Sequence, residues 1–171
     1  MNSVEPVVRI VDKINELAGR IGSFLFLPLI FAITFEIVMR YVFNSPTIWV
    51  HETSEYLLVV MAMLGGGYTF LHKGHVSVDI IYARLSTRGK AILDLIITAP
   101  FMLILYYVLV WKGAAFAWQA IGYMEKSGTF WNPPIYVIKS FLPIGGFLLM
   151  IQGLAKIVRD FTTVFKKVKL A

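Results

Sequence analysis

Glu36 is the first residue whose type and setting could do chemistry. It lies in an otherwise apolar stretch, and Arg40 follows four positions later, one helical turn on and on the same face. A charge placed in the middle of a bilayer costs about 2.5–3.5 kcal/mol on insertion scales, so such groups come paired. Lys139, in another apolar stretch, is expected at a similar depth, which gives a cluster of Glu36, Arg40 and Lys139. Structural pairing is the favoured reading. Glu36 lies about 22 Å along a helix from Ile21, beyond the midplane where a coupling carboxylate usually sits. A proton or ion site is the alternative. Glu52 and Glu55 flank the start of the next apolar run, where a helix dipole favours carboxylates, and they could attract Arg40. With Asn44, Pro46 and Trp49 between them, these residues read as a braced corner. The plainer alternative is a solvated loop with incidental charges.

Other chemistry is thinly represented. His72, His75 and Asp79 have ligand-like chemistry, but three such groups on one loop are a weak metal signal, and His51 falls on the opposite side. Haem needs axial ligands at depth, whereas these histidines lie at helix ends. The absence of cysteine excludes disulfides, thiolate metal sites and cysteine nucleophiles. No nucleophile–base arrangement, Walker loop or dinucleotide fingerprint appears, so neither enzyme activity nor a cofactor is expected. The charge balance is explained by membrane topology and leaves no need for nucleic acid.

The elements that position these residues follow from composition. The chain has 171 residues, is 58% apolar and only 15% charged, and has a mean hydropathy of +0.74. Soluble domains average roughly 45–50% apolar and about 25% charged. An all-α integral membrane protein is expected, because about 20 apolar residues of helix cross a bilayer. The reading is one four-helix membrane domain over 1–171. An amphipathic arm occupies 1–20, and spans lie at about 21–43, 50–72, 91–111 (extended to about 126) and 135–158. Val7, Ile10, Val11, Ile14, Leu17, Ala18 and Ile21 share one face of the arm, which is expected to rest in the membrane interface with its polar face to water. Ser3 is a plausible cap for it. A weaker amphipathic stretch runs from Val76 through Ile80 and Ile81 to Leu85.

Lys and Arg fix the expected orientation. The segment before the first span, the second loop and the C-terminal end hold Arg9, Lys13, Arg20, Lys73, Arg84, Arg88, Lys90, Lys156, Arg159, Lys166, Lys167 and Lys169. The other two loops hold only Arg40, Lys112 and Lys126. Both termini are therefore expected in the cytoplasm. Trp49, Trp111, Trp118 and Trp131 all fall on the opposite side, as an interfacial belt, a docking surface or both. No cleavable signal is read at the start of the chain. Gly65-Gly66-Gly67 and Gly145-Gly146 allow close helix approach, and Pro28, Pro100 and Pro143 should bend their spans.

One stretch resembles a known family. Glu36-x-x-x-Arg40-Tyr41-Val42-Phe43-Asn44 is followed by Pro46, Trp49 and Glu52, then by Gly65 and His75-Val76-x-Val78-Asp79. Their order and position relative to the spans resemble the small membrane (Q) subunit of tripartite ATP-independent periplasmic (TRAP) transporters. The resemblance implies a bacterial inner-membrane location. It also implies import of organic anions of the sialic-acid or C4-dicarboxylate class, with a lean toward sialic acid. The implied partners are a periplasmic solute-binding protein and a large elevator subunit that carries the substrate and sodium sites. The small subunit would widen the scaffold in the lipid and carry no solute. Asn44, Trp49, Trp118 and Trp131 are then candidate partner contacts, and Glu36, Arg40, Glu52 and Lys139 candidate structural groups. Two rival readings remain at this point: a stand-alone four-span proton-coupled exporter using Glu36, and a membrane anchor of a respiratory enzyme.

Overall fold

The computed structural model describes residues 5–72 and 85–166. Helices α1 (Glu5–Phe24) and α2 (Phe26–Tyr41) form one long rod, interrupted only at Leu25. Pro28 sits in the first turn of α2, where its missing N–H costs least. Helix α3 covers Val50–Leu71 and α5 covers Ile135–Lys166. Between them α4 runs over 87–122. Its α-helical parts Thr87–Leu93, Ala99–Tyr107 and Gly113–Gly122 alternate with two π-helical turns, Asp94–Thr98 and Val108–Lys112. Ser86 caps α4 by accepting from the Gly89 N–H at 3.2 Å. The rods Glu5–Tyr41, Val50–Leu71, Arg88–Gly122 and Ile135–Val164 are each long and apolar enough to cross a membrane, and no strand occurs among the described residues. The protein is an all-α membrane protein.

Short connections reverse the chain. After α2 the backbone turns at Asn44 (φ 51°), where the Ser45 N–H returns to the Met39 carbonyl at 2.9 Å. After α4 it turns through Met124, Gly128 and Asn132, all at positive φ. There Ile135 N–H donates to Glu125 O and Ser127 N–H to Pro133 O, both at 3.0 Å, so this loop folds back on the start of α5.

The helices form a bent row. α1 and α2 lie along α3, α3 packs on α5, and α5 packs on α4, while α1 also reaches α5. Without a hydrophobic drive between helices in lipid, contact depends on small residues that admit a neighbour. Gly19 faces the Tyr68 ring, Gly67 meets Asn15, and Gly153 meets Tyr106. A Cβ on Gly145 would lie 2.7 Å from the Met63 carbonyl, and one on Gly146 would lie 2.8 Å from Leu109 Cβ. The bulky apolar groups point outward instead, including Phe31, Phe101, Ile104 and Trp111. That inversion suits a lipid surround.

α1 obeys the same rule and alters one expectation. Asn15, Ala18, Gly19 and Gly22 are buried, while Val7, Ile10, Ile14, Leu17 and Ile21 are exposed. Part of the polar face, expected to meet water, is turned into the protein. Asn15 finds hydrogen-bond partners there, and the small residues let α3 come close. The expected stretch at Val76, Ile80 and Ile81, the residues His75 and Asp79, and the Ser3 cap lie outside the described residues.

Candidate functional site

At the end of the row away from the termini, Glu36 latches the loop that follows its helix. Helical spacing brings Arg40 to it: Arg40 donates to Glu36 Oε1 from Nη2 at 2.6 Å and from Nε at 3.0 Å. The other oxygen, Oε2, accepts the Thr47 backbone N–H at 3.0 Å and the Thr47 hydroxyl. One carboxylate therefore engages its own helix and the 42–49 loop together. Trp49 then precedes α3, with its ring centroid 6.0 Å from that of Phe35. Asn44, at the turn itself, is exposed.

The other expected members of the corner are elsewhere. Lys139 does not join Glu36. It donates to both oxygens of Glu125, at 2.6 and 2.7 Å, and lies 4.1 Å above the Phe116 ring centroid. The fold-back after α4 carries Glu125 to it, which corrects the expected three-residue cluster. Glu52 does not reach Arg40 either. It is buried, and its Oε2 has no hydrogen-bond partner among the described residues. Glu55 pairs with His51 at 3.1 Å on an exposed face. Trp118 is 79% exposed and Trp131 41%, beside Phe130 at 97%. They present aromatic surface at this end without joining the latch.

A second polar cluster ties the termini end, and the sequence reading missed it. Asn15 and Gln152 are both fully buried. Asn15 Nδ2 donates to Gln152 Oε1 at 2.9 Å, and Gln152 Nε2 donates to Asp12 Oδ1 at 3.0 Å. Arg159 completes the set by pairing with Asp12 Oδ2. Alongside, Lys156 bridges Asp94 and Asp160, binding α4 to α5. Glu16 bonds His72 at 2.9 Å, linking α1 to the end of α3. One signal was available: Asp94 opens one span and Lys156 closes another at the same end. Asn15 with Gln152 gave no such hint.

Phe70, Asp94, Met102, Tyr106, Gly153 and Lys156 line a cleft of about 10 Å³, room for one water and far too small for an organic solute. Among the described residues no three His, Cys, Asp or Glu side chains gather as a metal site. The arrangement is suited to joining helices.

Comparison with known proteins agrees with this architecture. Residues 29–163 match the family model described as "Tripartite ATP-independent periplasmic transporters, DctQ component". The chain belongs to this family. As a DctQ-family member it is a small TRAP transporter subunit and not an enzyme. It is 39% identical over 74 residues to the "Putative TRAP transporter small permease protein" of Haemophilus influenzae strain KW20 / Rd, covering 43% of this chain and 45% of that protein. It is 25% identical over 130 residues to the "Sialic acid TRAP transporter permease protein SiaT" of Haemophilus influenzae strain 86-028NP, covering 73% of this chain and 21% of that protein. The matches thus span less than half the length of either curated relative.

Proposed function

We propose that this DctQ-family chain is the non-conducting scaffold of an inner-membrane transporter that imports organic anions, of the sialic-acid or C4-dicarboxylate class, in symport with sodium. Its partners are a large membrane subunit that moves the solute and a periplasmic binding protein that delivers it. Both termini face the cytoplasm. The observation that carries this reading is the pairing of the charges. Glu36 with Arg40 and Thr47, and Lys139 with Glu125, join structural elements near one end. Asp12 with Arg159, and Lys156 with Asp94, do so at the other. The helices between them form a row in which Gly19, Gly67, Gly145, Gly146 and Gly153 each admit a close neighbour.

An elevator subunit needs a frame that stays put while its moving part slides. A row of packed helices with a docked N-terminal helix and aromatic residues at one end resists displacement along the membrane normal. Asn44, Trp49, Trp118 and Trp131 lie at the end that would face the binding protein. The Glu36 latch and Glu52 would keep that surface in shape. The relative named for sialic acid supports that substrate class. The exporter reading fares worse, because both oxygens of Glu36 are engaged, in the last turns of α2.

The test is reconstitution into liposomes with a sodium gradient and labelled sialic acid or succinate. Uptake is expected only when the large subunit and binding protein are present. Solute flux through liposomes holding this chain alone would refute the proposal.

A further inference from the structure

We propose that the loop after α4, residues 123–134, is a membrane anchor that seats Phe130 and Tyr123 among the phospholipid headgroups of the leaflet at the end away from the termini. The proposal depends on the helices crossing a membrane and not on the transport reading, so the two can fail separately.

The first observation is an aromatic ring that nothing in the chain covers. Phe130 is 97% exposed, the highest value among the large apolar residues, and Tyr123 is 77% exposed. Most other outward apolar groups lie along spans, where lipid tails meet them. Phe130 instead stands at the tip of a loop, and loop tips that face water carry small or polar residues.

The second observation is that the tip is held in shape. The Gly128 N–H donates to Asn132 Oδ1 at 3.1 Å, and the Asn132 N–H donates to Thr129 Oγ1 at 3.2 Å. The hydroxyls of Ser127 and Thr129 bond each other at 2.8 Å, and the Ser127 N–H closes on the Pro133 carbonyl at 3.0 Å. At the base, Lys139 clamps Glu125. A ring fixed before it meets its partner loses less freedom on meeting it.

The third observation is depth. α3 and α5 run in the same direction, since Met63 lies against Gly145 and, a turn further on, Gly67 lies against the Leu148 carbonyl. Ten residues back from Gly145 is Ile135 and ten back from Met63 is Thr53, so the two helices start at about the same level. The 22 residues of α3 measure about 33 Å, one hydrocarbon thickness. Its first turn therefore stands at the membrane boundary. So does Ile135, whose N–H holds the Glu125 carbonyl at 3.0 Å. The loop between Glu125 and Ile135 is thus carried at headgroup level, where aromatic side chains with one apolar and one wet side accumulate.

The chemistry of the tip selects lipid over a soluble protein as its occupant. No side chain from Ser127 to Pro134 is charged, and those of Ser127, Thr129 and Asn132 are engaged within the loop. A protein that binds and releases needs a polar rim to pair with. A lipid surface needs only the rings and a cation for its phosphates. Lys126 is exposed beside them, and its long stem can place the ammonium among the headgroups.

The chain has no cysteine, so Phe130→Cys gives a single labelling site. The full-length variant carries the environment-sensitive dye NBD and is reconstituted in vesicles of phosphatidylcholine and phosphatidylglycerol. A nitroxide on the lipid headgroup is expected to remove most of the emission. Aqueous iodide is expected to remove far less than it does from NBD–cysteine in water. Tyr123→Cys, labelled in the same way, gives a second reading should the first variant fold poorly. Iodide quenching equal to that of the free dye at both positions would overturn the proposal. So would shielding that arises only when a soluble binding protein is added, which would assign the tip to that protein.

Discussion

Separating Asn15 from Gln152 should loosen α1 from the rest of the protein. Asn15→Ala removes the 2.9 Å bond to Gln152 and the 3.1 Å bond to the Val11 carbonyl. It leaves Gln152 Oε1 without its donor in a side chain only 1% exposed. Orphaning a buried acceptor costs about 1–3 kcal/mol. The better helix propensity of alanine returns up to about 0.7 kcal/mol. A net loss of about 1–2 kcal/mol is expected. Gln152→Leu breaks the same bond and also the one to Asp12, which keeps Arg159. The interaction between the two positions should therefore appear as a coupling in the double mutant. Hydrogen bonds between membrane helices average about 0.6 kcal/mol and reach about 1.7 kcal/mol, and full burial at both ends argues for the upper half of that range. The assay is equilibrium unfolding in mixed micelles for wild type, both single variants and the double variant. A coupling below about 0.3 kcal/mol, the level at which independent sites add, would refute the reasoning.

Further outcomes follow from the packing, the latch and the Lys139–Glu125 pair. Gly153→Ala should lower stability by about 2 kcal/mol, because its Cβ would fall 2.7 Å from Tyr106 Cε2 in a ring with no room to move, whereas Gly66→Ala should leave thermal unfolding in detergent unchanged or improved. Glu36→Ala should free the 42–49 loop, seen as faster proteolysis or thiol labelling of a Ser45→Cys variant and as reduced uptake by the full transporter. Arg40→Ala should act in the same direction but more weakly, since the Arg40 side chain is 56% exposed and the Thr47 bonds survive its loss. Lys139→Met should loosen the fold-back after α4, measured as faster cleavage within 123–134, at a stability loss of about 1 kcal/mol, because Glu125 is partly exposed and can be rehydrated.

What could be read from the sequence was whatever is local or bulk. Four apolar runs and a scarcity of charge gave four helices, because the bilayer sets both length and composition. Glu36 with Arg40 was legible because four residues make one helical turn. Lys139 was assigned the wrong partner because depth along a span says nothing about a loop that reverses through Met124, Gly128 and Asn132 and returns Glu125 to α5. Thr47 was missed as a Glu36 partner for the same reason. Asn15 with Gln152 joins positions 137 residues apart, and neither has a charge or a spacing that advertises the contact. Helical periodicity grouped Val7, Ile10, Ile14, Leu17 and Ile21 on the side of α1 that is exposed, but it placed Ala18 with them, and Ala18 is buried. It did not reveal that part of the polar side, Asn15 above all, would meet protein instead of water.

The first π-helical turn of α4 sets the phase of everything on its N-terminal side. Asp94 and Tyr106 both meet α5, at Lys156 and Gly153, yet twelve positions of uninterrupted α-helix would set them about 120° apart at roughly 100° per residue. The extra residue in the wide turn Asp94–Thr98 absorbs that mismatch. This stretch should then respond asymmetrically to changes in length. Losing one residue there would restore a regular helix with Asp94 still facing its lysine, because eleven positions at roughly 100° each come round to within about 20°. One residue gained without a second wide turn would swing Asp94 away by more than a quarter turn, so a gene that drifts by a single codon here keeps the join between two rods in one direction and loses it in the other.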